Sequence, residues 1–259
     1  MEMRQVLCDT MKELMEKHGN IIFMDADLAE ANGTMSLRKV FKERAFDVGI
    51  SEQNMASMAG GMNSYICTFT GFASIRICDQ IAISLAYAKQ SVKLREVLLN
   101  TVDYKGVVYI RMPRKEVPRV HGEEYKYDML KADVLKEGED VTIFSTGLMI
   151  TAALEASKIL ESKGIKAEVI SIPTIKPLDE ETIIKSLAKT KRAVTIENHN
   201  VMGGLYSAIA EVLYRKCPTL MRSLGVQNHV GEVEGMKFLA KKYGMTAEDI
   251  ARECTELVK

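Results

Sequence analysis

The chain has no surplus of either charge. Its 259 residues carry 35 lysines and arginines against 35 aspartates and glutamates. That balance removes the electrostatic case for nucleic acid or an anionic membrane as a partner, while leaving room for a local basic site that meets a small anionic substrate. No apolar run is long enough to cross a bilayer, and the opening residues MEMRQVLCDTMKEL read as an amphipathic helix rather than a secretory signal. A cytoplasmic protein is the expectation. The five cysteines, Cys8, Cys67, Cys78, Cys217 and Cys254, are odd in number and lack metal-ligand spacing. Lying in or beside apolar periodic segments, they read as reduced core thiols, and no metal ligand is singled out. Thr146-Gly147 after a strand is no dinucleotide fingerprint.

What is present is ample apolar material, 47% of the chain, enough for two ordinary domains. Met3 to His18 reads as a helix with Val6, Leu7, Met11, Leu14 and Met15 on one face, closed by Gly19. Ile21 to Met24 follows as a buried strand with Asp25 and Asp27 at its carboxyl end. Tyr65 to Thr68 and Val107 to Arg111 read as strands, and Ala73 to Leu94 as a helix. A polar, irregular stretch then marks a linker over 119–132, between a first domain at 1–118 and a second at 133–259. Beyond it, strands at Asp140 to Ser145, Ala167 to Ile172 and Ala193 to Glu197 alternate with helices at Met149 to Lys163 and Glu180 to Thr190. Such alternation predicts doubly wound α/β sheets.

The stretch Phe46 to Gly61, FDVGISEQNMASMAGG, organises the first domain. A short apolar run ends a strand, Ser51 offers an N-cap, and Met55, Ala56, Met58 and Ala59 are spaced to pack a following helix. Glu52 therefore lies in the first turn of a helix, facing the carboxyl end of a parallel sheet, where α/β folds bind ligands. Two readings stay open from the residues alone: an acid that complements the helix macrodipole, or a functional carboxylate.

FDVGISEQNM resembles the motif of the transketolase and deoxyxylulose-phosphate synthase families, in the domain that holds the aminopyrimidine ring of thiamine diphosphate. MDADLAEANGT (Met24 to Thr34) and CTFTGFASIRICDQI (Cys67 to Ile81) follow the same family order. The resemblance implies two α/β domains, a pyrimidine-binding one and a transketolase C-terminal-like one. It implies that Glu52 hydrogen-bonds a pyrimidine nitrogen and favours the imino form of the ring's amino group, and that Phe69 and Phe72 flank that ring. Asp27 would lie near cofactor and substrate, with Arg114 and Arg4 meeting substrate phosphate. Without the resemblance, the same residues read as a core pair of phenylalanines, a turn aspartate before Asn32-Gly33, and surface cations. Arg111 is a further candidate, and His199, in ENHNVMGGLYSAIAEVL, reads as a capping or structural histidine.

The chain also departs from that family. Ala31 stands where many relatives carry a phosphate-contacting serine, and Ile75 where many have a third aromatic. Between Leu94 and Arg95 a histidine-bearing segment of roughly 30 residues or more, at least a βαβ unit, has no counterpart, and a smaller piece is missing between Tyr65 and Ile66. Either the cleft loops are not represented in these 259 residues, or they are lost and catalysis with them. There is no GDG, the motif through which the family binds Mg²⁺ and the diphosphate. The resemblance therefore implies the C-terminal subunit of a split transketolase, with Mg²⁺ ligands on an N-terminal partner subunit, sugar phosphates as substrates, and a homodimer or heterotetramer. Alternatives are a 1-deoxyxylulose-5-phosphate synthase-like enzyme, a 2-oxoacid dehydrogenase β-subunit-like enzyme, or a non-catalytic assembly partner.

Overall fold

The computed structural model describes residues 3–59, 63–68, 84–87, 91–104, 108–111, 120, 125, 128–227 and 234–259. The chain divides into two compact units, one of Met1–Ser84 and Ala88–Arg119 and the other of Leu85–Tyr87 and Val120–Lys259.

In the first unit, helix α1 (Met3–Lys17) is followed by β1 (Ile22–Asp25), α2 (Met35–Val40), β2 (Ala45–Asp47), α3 (Glu52–Ala59) and β3 (Ser64–Cys67). The three strands form a parallel sheet in the order β2-β1-β3, so the chain's first strand lies at its centre. The apolar face read on α1 is buried, with Met11 and Met15 fully enclosed. Burying such side chains contributes about 1.5–3 kcal/mol each. Met55 and Ala59 of α3 pack with Met24, Phe46 and Ile66 of the sheet. Arg44, just before β2, donates to the carbonyls of Met15, His18 and Ile21, satisfying the acceptors left open at the carboxyl end of α1. A fourth helix, α4 (Ser91–Thr101), meets α1 through the ion pair of Arg95 with Glu13 at 2.7 Å.

The stretch read as a helix from Ala73 to Leu94 contains a strand, β4 (Ser84–Tyr87), and the helix described here covers Ser91–Thr101; residues 73–83 and 88–90 lie outside the described residues. A short apolar run such as ISLAY has no periodicity that separates a strand from a buried helical turn. Strand β5 (Val108–Arg111) closes the described part of this region.

The second unit is a five-stranded sheet in the order β11-β10-β7-β8-β6, built from β6 (Asp133–Lys136), β7 (Val141–Ser145), β8 (Ala167–Ser171), β10 (Arg192–Asn200) and β11 (Leu220–Val226). All neighbours are parallel except β6, an antiparallel edge strand. Alternate residues of the inner strands point to opposite faces. Ile143, Val169 and Ile196 pack under α5 (Ile150–Glu161) and α9 (Ala247–Val258), whereas Phe144, Ile170 and Ala193 pack under α6 (Glu180–Thr190) and α7 (Leu205–Lys216). Helices on both faces make this a doubly wound sheet. Between β8 and α6 lies a three-residue strand, β9 (Thr174–Lys176), and α8 (Met236–Lys242) precedes the last helix. That last helix opens with a reciprocal capping box between Thr246 and Asp249.

Candidate active site

The carboxyl edge of the first unit's sheet ends in Asp47, Asp25 and Cys67, which are register partners across β2, β1 and β3. Asp25 is fully buried. Its Oδ1 accepts from the Leu28 N–H at 3.1 Å, while Oδ2 has no partner among the described residues. Burial pushes its carboxyl up, against the pull of that N–H. In the loop that follows, the buried Asn32 has an amide nitrogen with no hydrogen-bond partner among the described residues. An acceptor at the end of β1 and a donor in the loop after it, both unpaired among the described residues, leave hydrogen-bonding capacity that a ligand or water can use.

Glu52 is the first residue of α3 and is only 2% exposed. Ser51 holds the N-cap position, since its carbonyl accepts from Met55 N–H at 2.9 Å. Its hydroxyl, however, donates to the Val48 carbonyl at 2.8 Å, closing the strand-to-helix turn. The turn itself runs through Gly49 at φ 72°, a left-handed conformation that glycine adopts without strain.

Asp27 is exposed and also left-handed, with φ 58°, an uncommon backbone for a residue other than glycine that aspartate tolerates. Its N–H donates to Asp47 Oδ1 at 2.9 Å. Arg4 is exposed on α1, and its stem lies over Gly33: a β-carbon there would sit 3.7 Å from Arg4 Cγ and Cδ. Three site residues from the sequence thus belong to the first unit: Glu52 and Asp27 in segments that follow adjacent strands, and Arg4 beside the end of the Asp27 loop. Phe69, Phe72 and Arg114 lie outside the described residues, as do Ile75 and the side chain of Arg111.

Asp47 was not singled out from the sequence. Its signal was the Asp-Val-Gly of FDVG, because an aspartate two residues before a glycine closes an Asx turn on that glycine's N–H. Asp47 Oδ1 does so at 2.8 Å, and Oδ2 accepts from Arg38 Nη1 at 3.1 Å. Burial pushes the Asp47 carboxyl up, but the Gly49 and Asp27 N–H groups and the Arg38 charge outweigh it and hold it below the usual carboxylate range.

In the second unit, the buried Glu197, in the second half of β10, accepts from the N–H groups of Leu205 and Tyr206 at 2.8 and 2.9 Å. It caps α7, and a side chain on Gly204 would collide with its carboxylate. His199, two residues on, is exposed. Among the described residues no group of three or more His, Cys, Asp or Glu is placed to hold a metal ion, and no helix is long and apolar enough to cross a membrane.

The chain that folds in this way, with a buried glutamate opening a helix on a parallel α/β sheet, matches two family models over its length. The transketolase pyrimidine-binding domain matches residues 1–95, and the transketolase C-terminal domain matches residues 130–250. The chain belongs to the transketolase family.

Its relatives include transketolase subunits and 1-deoxy-D-xylulose-5-phosphate synthases. The chain is 34% identical to the 6-deoxy-6-sulfo-D-fructose transketolase subunit SqwH of Clostridium sp. (strain MSTE9), covering 99% of this chain and 94% of that one. It is 32% identical to a putative transketolase C-terminal section of Methanocaldococcus jannaschii, covering 99% and 96%. A solved split gene transketolase, described as an inactive β4 tetramer, superposes with a TM-score of 0.91 at 30% identity, over 100% of this chain and 98% of that one. The alignment with the Clostridium subunit runs over 304 positions against 259 residues here, so at least 45 positions (304 less 259) have no counterpart in this chain.

Proposed function

We propose that this chain is the pyrimidine-binding and C-terminal subunit of a two-subunit transketolase, which transfers a two-carbon ketol unit between sugar phosphates in the cytoplasm, as in the pentose phosphate pathway. The observation that carries the reading is the burial of Glu52 at the start of α3, within the segment matched by the pyrimidine-binding model. A carboxyl removed from water at that place suits a ring nitrogen of the cofactor, because it can share a proton with an aromatic nitrogen and burial strengthens the bond. Thiamine diphosphate, when bound, supplies the carbon nucleophile. The chain's part is to hold the aminopyrimidine through Glu52 as the catalytic residue, to flank it with Phe69 and Phe72, and to place Asp27 beside it. Arg114 and Arg4 are assigned to substrate phosphate, for which a planar guanidinium is suited.

Mg²⁺ and the diphosphate are assigned to an N-terminal subunit, since the 259 residues contain no GDG. The inactive β4 tetramer formed by a similar chain supports the same division of labour: alone this chain would self-associate without activity, and with its partner it would form an active heterotetramer. The test is ketol transfer by the chain, by the N-terminal subunit, and by their mixture. Turnover confined to the mixture and dependent on thiamine diphosphate is expected. Turnover by this chain alone would overturn the split arrangement. A second reading, an assembly partner without chemistry, is favoured by the unmatched alignment positions, and an inactive mixture that still forms a stable complex would support it.

A further inference from the structure

Asp47 ties together three segments of the first unit. One oxygen, Oδ1, accepts both the Asp27 N–H at 2.9 Å and the Gly49 N–H at 2.8 Å, while Oδ2 is paired with Arg38 of α2 at 3.1 Å. The two donors belong to different loops. Asp27 lies in the loop that leaves β1, and Gly49 lies in the turn that delivers Glu52 to the start of α3. Both donors have left-handed backbones, and the parallel pairing of β1 with β2 places Asp25 opposite Asp47 at the foot of both loops. Two loops that each depart from extended geometry are thus joined at a single oxygen atom.

We propose that Asp47 is a positioning residue for the active site: its carboxylate fixes the Asp27 loop and the Glu52 turn in one mutual geometry, and Arg38 orients the carboxylate. Asp47 itself touches no reacting atom. The inference rests on the proposed roles of Glu52 and Asp27, and it adds that their spacing is set by a residue on neither loop's tip. Lys39 and Lys42 line the same groove as Arg38 and Asp47, so positive potential persists there when Arg38 alone is removed.

The experiment has a structural and a kinetic arm. In the first, backbone amide exchange of the full chain is resolved residue by residue by NMR. Asp47→Ala is expected to speed exchange at Asp27 and Gly49 by about tenfold or more, through the loss of one local hydrogen bond at each, while the amides of α1 and the second unit are unchanged. Asp47→Asn, which keeps an acceptor oxygen, is expected to restore most of the protection. Wild-type exchange at both amides in Asp47→Ala would overturn the proposal. If Asp47→Ala does not fold, Arg38→Met carries the arm, with a smaller rise at the same two amides expected and no rise overturning it.

In the kinetic arm, with the partner subunit added, Asp47→Ala is expected to lower kcat by about 10²-fold, the scale of a misplacement near 1 Å, with Asp47→Asn rescuing most of it. An Asp47→Ala enzyme with wild-type kcat and a lowered thermal midpoint would overturn the positioning role. Glu52→Gln, run alongside, separates the two ideas. Full turnover in Glu52→Gln removes the site reading, whereas lost turnover there beside wild-type kcat in Asp47→Ala removes only the clamp.

Discussion

Asp25 and Cys67 are register partners at the carboxyl ends of β1 and β3, and both are buried. Burial, and after it the neighbouring Asp25 carboxyl, pushes the Cys67 thiol up to about 12. The thiolate is the nucleophilic form, so Cys67 is expected to be inert at ordinary pH. At pH 8, alkylation at Cys67 in the folded chain is expected to run about 10³-fold slower than in an unfolded control, whose thiol titrates near 8.5. Peptide mass spectrometry reads this site by site. Alkylation within tenfold of the control would contradict the burial.

Asp179 is expected to support stability in a pH-dependent way. It caps α6 by accepting from Thr182 N–H and Oγ1, and it also accepts from Ala132 N–H at 3.0 Å. Burial pushes its carboxyl up, but these donors and Lys131 outweigh burial and leave it below the usual carboxylate range. A carboxyl lowered on folding stabilises the chain above its unfolded value of about 3.9, and that contribution is lost as pH falls through the lower folded value. Asp179→Ala is therefore expected to cost about 0.5–2 kcal/mol at pH 7 and distinctly less near pH 3, measured by denaturant midpoints. An equal cost at both pH values would count against the ionised cap.

Glu197 and Gly204 are expected to be energetically coupled. Removing the Glu197 carboxylate leaves the N–H groups of Leu205 and Tyr206 without their acceptor, at roughly 1–3 kcal/mol for a buried group. Gly204→Ala alone is expected to be destabilising, because its β-carbon meets that carboxylate. In the double variant the clash is relieved only in part, since the Asn200 carbonyl also crowds the position. A double-mutant cycle should return a non-zero coupling between the two sites, and strict additivity would show that they do not touch.

Much of this architecture was legible in the sequence. The α1 face, the strand ending at Asp25 and the turn into the Glu52 helix follow from local periodicity and short-range hydrogen bonds. What was not legible depends on distance along the chain. The bond from Asp27 to Asp47 spans 20 residues and exists only because β1 and β2 pair in one register. Ser51 could have capped α3 with its hydroxyl, and nothing local decides that it closes the turn on Val48 instead. The strand at Ser84–Tyr87 was missed because an apolar run of that length fits either structure. Asp25 read only as the carboxyl end of a strand, and its burial became visible only once strands flanked it on both sides.

Glu52→Gln separates an activating carboxyl from a helix-terminal acid most directly. The measurement is proton exchange at the thiazolium carbon of thiamine diphosphate bound to the reconstituted two-subunit complex, taken together with the thermal midpoint. An amide cannot share the proton that a carboxyl holds, so exchange is expected to fall by about 10²–10⁴-fold while the midpoint stays close to wild type. If Glu52 only complements the helix macrodipole, Glu52→Gln costs about 0.3–1 kcal/mol of stability and leaves exchange untouched. An unchanged exchange rate would contradict the assignment of Glu52, and with it the roles given to Phe69 and Phe72.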